Sequence, residues 1–99
     1  MVSPSFIRML EDELNKYMSY SSTYARQIEK KVYEAINLLK IFPYATSRIK
    51  FRGDPETYRK FVIKKRFLIV FQVFDGIIQL QYFIDGRQAP KNYLKIYKK

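Results

Sequence analysis

Ninety-nine residues with 47% hydrophobic and 17% aromatic content suffice for one compact domain with a single core, and leave no room for a second. The absence of cysteine excludes disulfides and thiolate metal sites. The net charge of +10, from 19 Lys plus Arg against 9 Asp plus Glu, directs attention to nucleic acid or to an acidic protein as partner.

Ser3 before Pro4 reads as an N-cap followed by the residue that prefers the first helical turn, because proline has no amide hydrogen to leave unpaired there. A helix is predicted over about 4–20, with Ile7, Leu10, Leu14, Tyr17 and Met18 on its apolar face and Glu11, Asp12, Asn15 and Lys16 toward water. The charged residues of this opening stretch exclude a secretory signal, and the longest apolar run, Phe67 to Phe71, is too short to span a bilayer. The expectation is therefore a cytoplasmic protein with no membrane partner. The serines at 19, 21 and 22 and Thr23 break that helix and cap a second over about 23–41, whose stripe is Ala25, Ile28, Val32, Ala35, Ile36 and Leu39 and which stops before Pro43. Neither helix buries its stripe alone, and the connection is short, so the two are expected to form an antiparallel hairpin.

From Tyr44 to Pro55 the periodicity is lost, which marks a loop in which Ile49 and Phe51 are candidates for a short edge strand. Beyond it the period becomes two. Strands are predicted at about 58–63, 67–74 and 77–84, separated by Lys64-Lys65-Arg66 and by Asp75-Gly76, the latter a strong hairpin signal. The nearly continuous apolar segment Phe67 to Phe74 reads as a central strand covered on both faces. In the third strand Gln79 and Gln81 alternate with Ile78, Leu80 and Tyr82, the pattern of one buried and one wet face. A basic tail occupies 87–99, and no internal repeat appears.

Charge is distributed unevenly along these elements. Residues 1–47 carry six basic and five acidic side chains, whereas residues 48–99 carry thirteen basic ones against Asp54, Glu56, Asp75 and Asp85. The second half is read as a cationic surface.

The order of elements, with particular residues, resembles the RelE/ParE toxin family over nearly the whole chain. Ala25 to Pro43, closing on Leu38-Leu39-Lys40-Ile41-Phe42-Pro43, is similar to that family's second helix. Tyr58-Arg59-Lys60-Phe61-Val62-Ile63, then Phe67-Leu68-Ile69-Val70-Phe71-Gln72-Val73, then Gly86-Arg87 resemble its consecutive C-terminal strand signatures. The fold this implies is α+β: an N-terminal antiparallel helical hairpin packed on a C-terminal antiparallel sheet of three to four strands, in one domain spanning 1–99. Two departures stand out. Only Met1 and Val2 precede the cap, so the family's first strand is absent or very short, and Asp85-Gly86-Arg87-Gln88 replaces the usual ending of His or Tyr with Gly-Arg-Arg.

The resemblance implies the toxin of a type II toxin–antitoxin pair, held as a hetero-oligomer by an acidic antitoxin. Its two branches differ in target: RelE-like toxins cut messenger RNA on the ribosome, whereas ParE-like toxins inhibit DNA gyrase. RNA cleavage requires a base, cations for the phosphorane and an acid for the leaving oxygen. There is no histidine. A nuclease site would have to draw on Arg59, Lys65, Arg66, Arg87 and Tyr93, with a lysine of lowered pKa as base, Arg59 and Arg87 as a cradle for the phosphate and Tyr93 as acid. Leu68 stands where RelE-like nucleases carry an arginine in the central strand, and of the terminal Arg-Arg pair only Arg87 remains. These losses favour the ParE-like branch over an enzyme. Lys64-Lys65-Arg66 reads equally well as a solvated turn, and Arg87 as the partner of Asp85 or of an antitoxin carboxylate. A basic nucleic-acid-binding protein without toxicity is the third reading. Neither metal nor cofactor is expected, since no metal-ligand cluster or phosphate loop is found.

Overall fold

The computed structural model describes residues 1–46 and 58–87. Two helices, α1 (Pro4–Met18) and α2 (Ser22–Ile41), precede three strands, β1 (Tyr58–Ile63), β2 (Phe67–Phe74) and β3 (Ile77–Asp85). The strands form an antiparallel meander in the order β1-β2-β3. This is the α+β arrangement expected. The readings of Ile49 and Phe51 as an edge strand, of Tyr93 as an acid and of a tail over 87–99 fall outside the described residues, apart from Arg87.

Capping accounts for both helix starts. Ser3 is extended, and its Oγ accepts the Phe6 amide hydrogen at 3.1 Å while donating its own proton to the Gln81 carbonyl at 2.9 Å. One hydroxyl thus closes the first turn of α1 and fixes it to β3. Ser21 Oγ accepts from Tyr24 N at 3.3 Å and begins α2, which ends as Phe42 N donates to Leu38 O.

Met1 to Ser3 run parallel to β3. Leu80 N donates to Met1 O and Ser3 N to Leu80 O, both at 2.9 Å, around an isolated bridge between Val2 and Leu80. The very short first strand anticipated from the spacing before Pro4 is this bridge. It also sets the rotation of α1, and the structure corrects the predicted stripe accordingly. Phe6 and Tyr17 are the buried residues, with Met9, Leu10 and Leu14 packed beside them, whereas Ile7 and Met18 are exposed.

The core lies between the hairpin and one face of the sheet. Ala25, Ile28, Val32, Ala35 and Leu39 of α2 meet Phe67, Ile69 and Phe71 of β2 and Ile78, Leu80 and Phe83 of β3. Phe67 and Phe83 stack with centroids 5.3 Å apart, and Phe6 meets Phe83 edge-on at 6.0 Å.

Alternation along β3 breaks at Gln81. Val70 pairs with Tyr82 and Phe71 with Leu80, so Gln81 is the extra residue of a β-bulge. The parity therefore shifts: Ile78 and Leu80 face the helices, but beyond the bulge Phe83 does, and Tyr82 and Ile84 turn to the far face. There they form a second buried cluster with Val70, flanked by Leu68 and Tyr58. Up to the bulge the predicted alternation holds, with Gln79 and Gln81 half-buried between buried Ile78, Leu80 and Tyr82, whereas beyond it the far face of β3 is apolar; β2 is buried on both sides at Val70 as expected.

Both turns use positive φ. Asp75 and Gly76, at 52° and 76°, form the turn that the Asp-Gly pair predicts. Lys64 and Lys65, at 52° and 54°, adopt the same region without the glycine or asparagine that usually occupies it, and Arg66 N donates to Ile63 O across the turn.

Candidate functional site

Among the described residues, the densest polar arrangement forms where the β1–β2 turn meets the end of β3 and the junction of the two helices. Asp85 closes β3 with its side chain on the helix side, and it is 4% exposed. Arg66 Nη2 donates to its Oδ2 at 3.2 Å. Arg87 Nη2 donates to the same oxygen at 3.1 Å, while the Arg87 amide donates to Oδ1 at 2.9 Å. One carboxylate therefore holds two guanidiniums.

Local backbone geometry brings these three together. The Gly86 amide donates to the Arg66 carbonyl at 2.6 Å, so the end of β3 crosses directly over the turn. A Cβ at Gly86 would lie 2.7 Å from that carbonyl oxygen, which only glycine avoids. Asp85, next to Gly86, is thereby brought within reach of both Arg66 and Arg87.

Aromatic rings from both helices and from β2 complete the arrangement. The Arg66 guanidinium lies 4.9 Å from the centroids of both Tyr17 and Phe67, and its Nη1 donates to Tyr24 Oη at 3.3 Å. Tyr17 and Tyr24 meet edge-on at 4.9 Å, and Arg87 Nη2 reaches Tyr17 Oη at 3.4 Å. Lys64 sits over Tyr24 at 5.1 Å and donates to Gln27 Oε1 at 3.1 Å.

Burial alone would raise the Asp85 pKa, but the Arg87 amide and guanidinium and the charge of Arg66 outweigh it, and the carboxyl stays below its ordinary value. The hydrogen bond to Asp85 raises the Arg87 pKa in turn. Asp85 is consequently an anion whose two oxygens are already engaged, a poor proton acceptor at neutral pH. Arg66 and Arg87 together with Asp85 carry one net positive charge rather than two. Arg66 Nε is buried without a hydrogen-bond partner among the described residues, as is Glu13 Oε2.

The predicted site residues separate accordingly. Arg66 and Arg87 come together. Arg59 does not join them: it lies at the opposite end of β1, where its Nη1 donates to Thr46 O at 2.6 Å and its guanidinium lies 5.1 Å from the Tyr44 ring. Lys65 is exposed at the turn's tip. The proposed cradle of Arg59 and Arg87 around one phosphate is thereby corrected, since the length of β1 and its turn separates them. Of the cationic surface read from the second half, six of the thirteen basic residues fall among the described ones. Among the described basic residues of the second half, only Lys60 shares the far-face parity of Val70, and the turn and the ends of the strands hold the rest.

The sequence places Tyr17 on the apolar face of the first helix and gives Tyr24, inside the second, no reading of its own. Their seven-residue separation across a helix break carries no local signal of a shared guanidinium. Among the described residues no group of three or more carboxylates, histidines or cysteines could hold a metal ion, and no helix is long and apolar enough to cross a membrane. No protein-family model matches the chain, and no curated protein matches it either.

Proposed function

We propose that the protein is the toxin of a type II toxin–antitoxin pair of the ParE-like kind, a cytoplasmic inhibitor that binds DNA gyrase and is neutralised by an acidic antitoxin. The resemblance in sequence motifs and the helical hairpin laid over a three-stranded meander support the family. The engagement of Arg66 and Arg87 by Asp85 is the observation that carries the choice of branch. A ribonuclease needs cations free to meet the developing phosphorane charge and a base able to take a proton. Here the two arginines that meet are shared by one carboxylate, Arg59 is remote from them, and Asp85 is held ionised. Inhibition by binding asks for neither base nor acid.

Induced expression tests this reading. Growth should arrest, plasmid DNA from the arrested cells should be relaxed or broken, and messenger RNA should stay intact. Unimpeded growth would favour the non-toxic nucleic-acid-binding protein, and mapped cuts in translated messages would favour the RelE-like endonuclease.

A further inference from the structure

With Phe6 and Tyr17 turned toward the core, helical spacing gathers Pro4, Ile7, Glu11, Asn15 and Met18 on the opposite side of α1. Arg8 and Asp12 lie along one flank of that face, one turn apart. Val2 and the same face bound a shallow cleft of about 380 Å³.

The face combines exposed apolar surface with unpaired charge of both signs. Val2 and Ile7 are each 47% exposed and Met18 51%. Apolar side chains grouped on one helix face gain when something covers them. Arg8 Nη2 donates to Ser5 Oγ at 3.4 Å, and among the described residues none of Arg8, Glu11 and Asp12 enters an ion pair. One cation less two anions leaves −1 on this face of a chain that carries +10.

We propose that the outward face of α1 is a self-association surface, on which a second copy of the chain packs its own α1 antiparallel about a two-fold axis. Charge decides the occupant. An antiparallel contact centred at the level of Leu10 sets Arg8 of each copy against Asp12 of the other, with Glu11 one residue away. One stretch of sequence thus supplies two complementary pairs. The same register carries Met18 of each copy to the helix start of the other, where Val2 and Pro4 lie, so apolar surface is covered at both ends. A uniformly basic partner would meet Arg8 as like charge, and a uniformly acidic one Glu11 and Asp12. Two chains of +10 repel, and the local −1 lessens that repulsion where they touch. Neither the charge pattern nor the exposed residues depend on the toxin reading.

Sedimentation equilibrium of the full chain at increasing concentration tests this surface. A concentration-dependent dimer is expected. Arg8→Asp and Asp12→Arg should each weaken dimerisation at least ~10-fold, because each sets like charges together twice. The double variant Arg8→Asp with Asp12→Arg keeps the net charge of +10, reverses both partners and should restore the dimer. Arg26→Asp makes the same charge change at an exposed position of α2 and should not weaken it. Circular dichroism shows that each variant folds. Ile7→Asp, near the helix start where a carboxylate suits the helix dipole, should also weaken the dimer and serves if a charge variant does not fold. A monomer at every concentration would overturn the proposal and leave the face to a different protein. So would a dimer that the single charge changes leave intact, or one that the double variant fails to restore.

Discussion

Arg66 Nη2 lies 3.2 Å from Asp85 Oδ2, and both side chains are largely withdrawn from water, at 16% and 5% exposure. The pair joins the β1–β2 turn to the last residue of β3, with the rings of Tyr17 and Phe67 against the guanidinium. Asp85→Asn leaves Arg66 withdrawn from solvent without its counter-charge. Removing one member of a buried pair costs about 3–5 kcal/mol, and the residual exposure of Arg66 reduces this to roughly 2–4 kcal/mol. Urea unfolding of the variant should show that loss. Arg87→Ala, at a solvent-exposed position, should lose clearly less than Asp85→Asn.

The same pair gives stability a defined pH dependence. The folded-state pKa of Asp85 lies below the ordinary value of 3.8, so its contribution is complete above that value. As pH falls through 3.8 and on through the folded-state pKa, protonation removes it. Acid titration followed by circular dichroism should show wild type losing stability in this range, while Asp85→Asn loses less over the same interval.

Gly86→Ala tests the crossing of β3 over the turn. A Cβ 2.7 Å from the Arg66 carbonyl oxygen meets backbone, which cannot swing aside as a side chain would. Displacement breaks the Gly86 to Arg66 hydrogen bond and should cost about 1–3 kcal/mol. Loss of the amide's slow hydrogen exchange at Gly86 is the local readout.

Lys65→Gly should have the opposite sign. Its φ of 54° is strained for a side chain carrying a Cβ, by about 1–2 kcal/mol, and glycine's greater freedom in the unfolded chain offsets part of the gain. A net stabilisation of roughly 0.5–1 kcal/mol is expected by thermal melting.

Periodicity placed the helical hairpin and the meander well, because Ala25, Ile28, Val32, Ala35 and Leu39 admit one buried face and Asp75-Gly76 one kind of turn. The rotation of α1 was less legible. Phe6, Ile7, Met9, Leu10, Leu14, Tyr17 and Met18 make a broad apolar arc, and the choice among them is made by Ser3, whose hydroxyl binds both Phe6 N and the distant Gln81 carbonyl. The bulge at Gln81 left no trace either, since Gln79, Gln81 and their neighbours alternate without interruption in sequence. Its consequence, the turning of Tyr82 and Ile84 to the far face, depends on pairing with β2. As for the polar cluster, the proximity of Asp85 to Arg87 could be read from the chain, but the approach of Arg66 required Gly86 to cross the turn.

Inhibition by binding is the central claim, and a supercoiling reaction with purified gyrase and this protein tests it most directly. Dose-dependent loss of supercoiled product, or accumulation of cleaved DNA, is the expected result, with messenger RNA untouched in a parallel translating extract. Unimpaired supercoiling together with cuts in the message, abolished by Arg87→Ala, would contradict it.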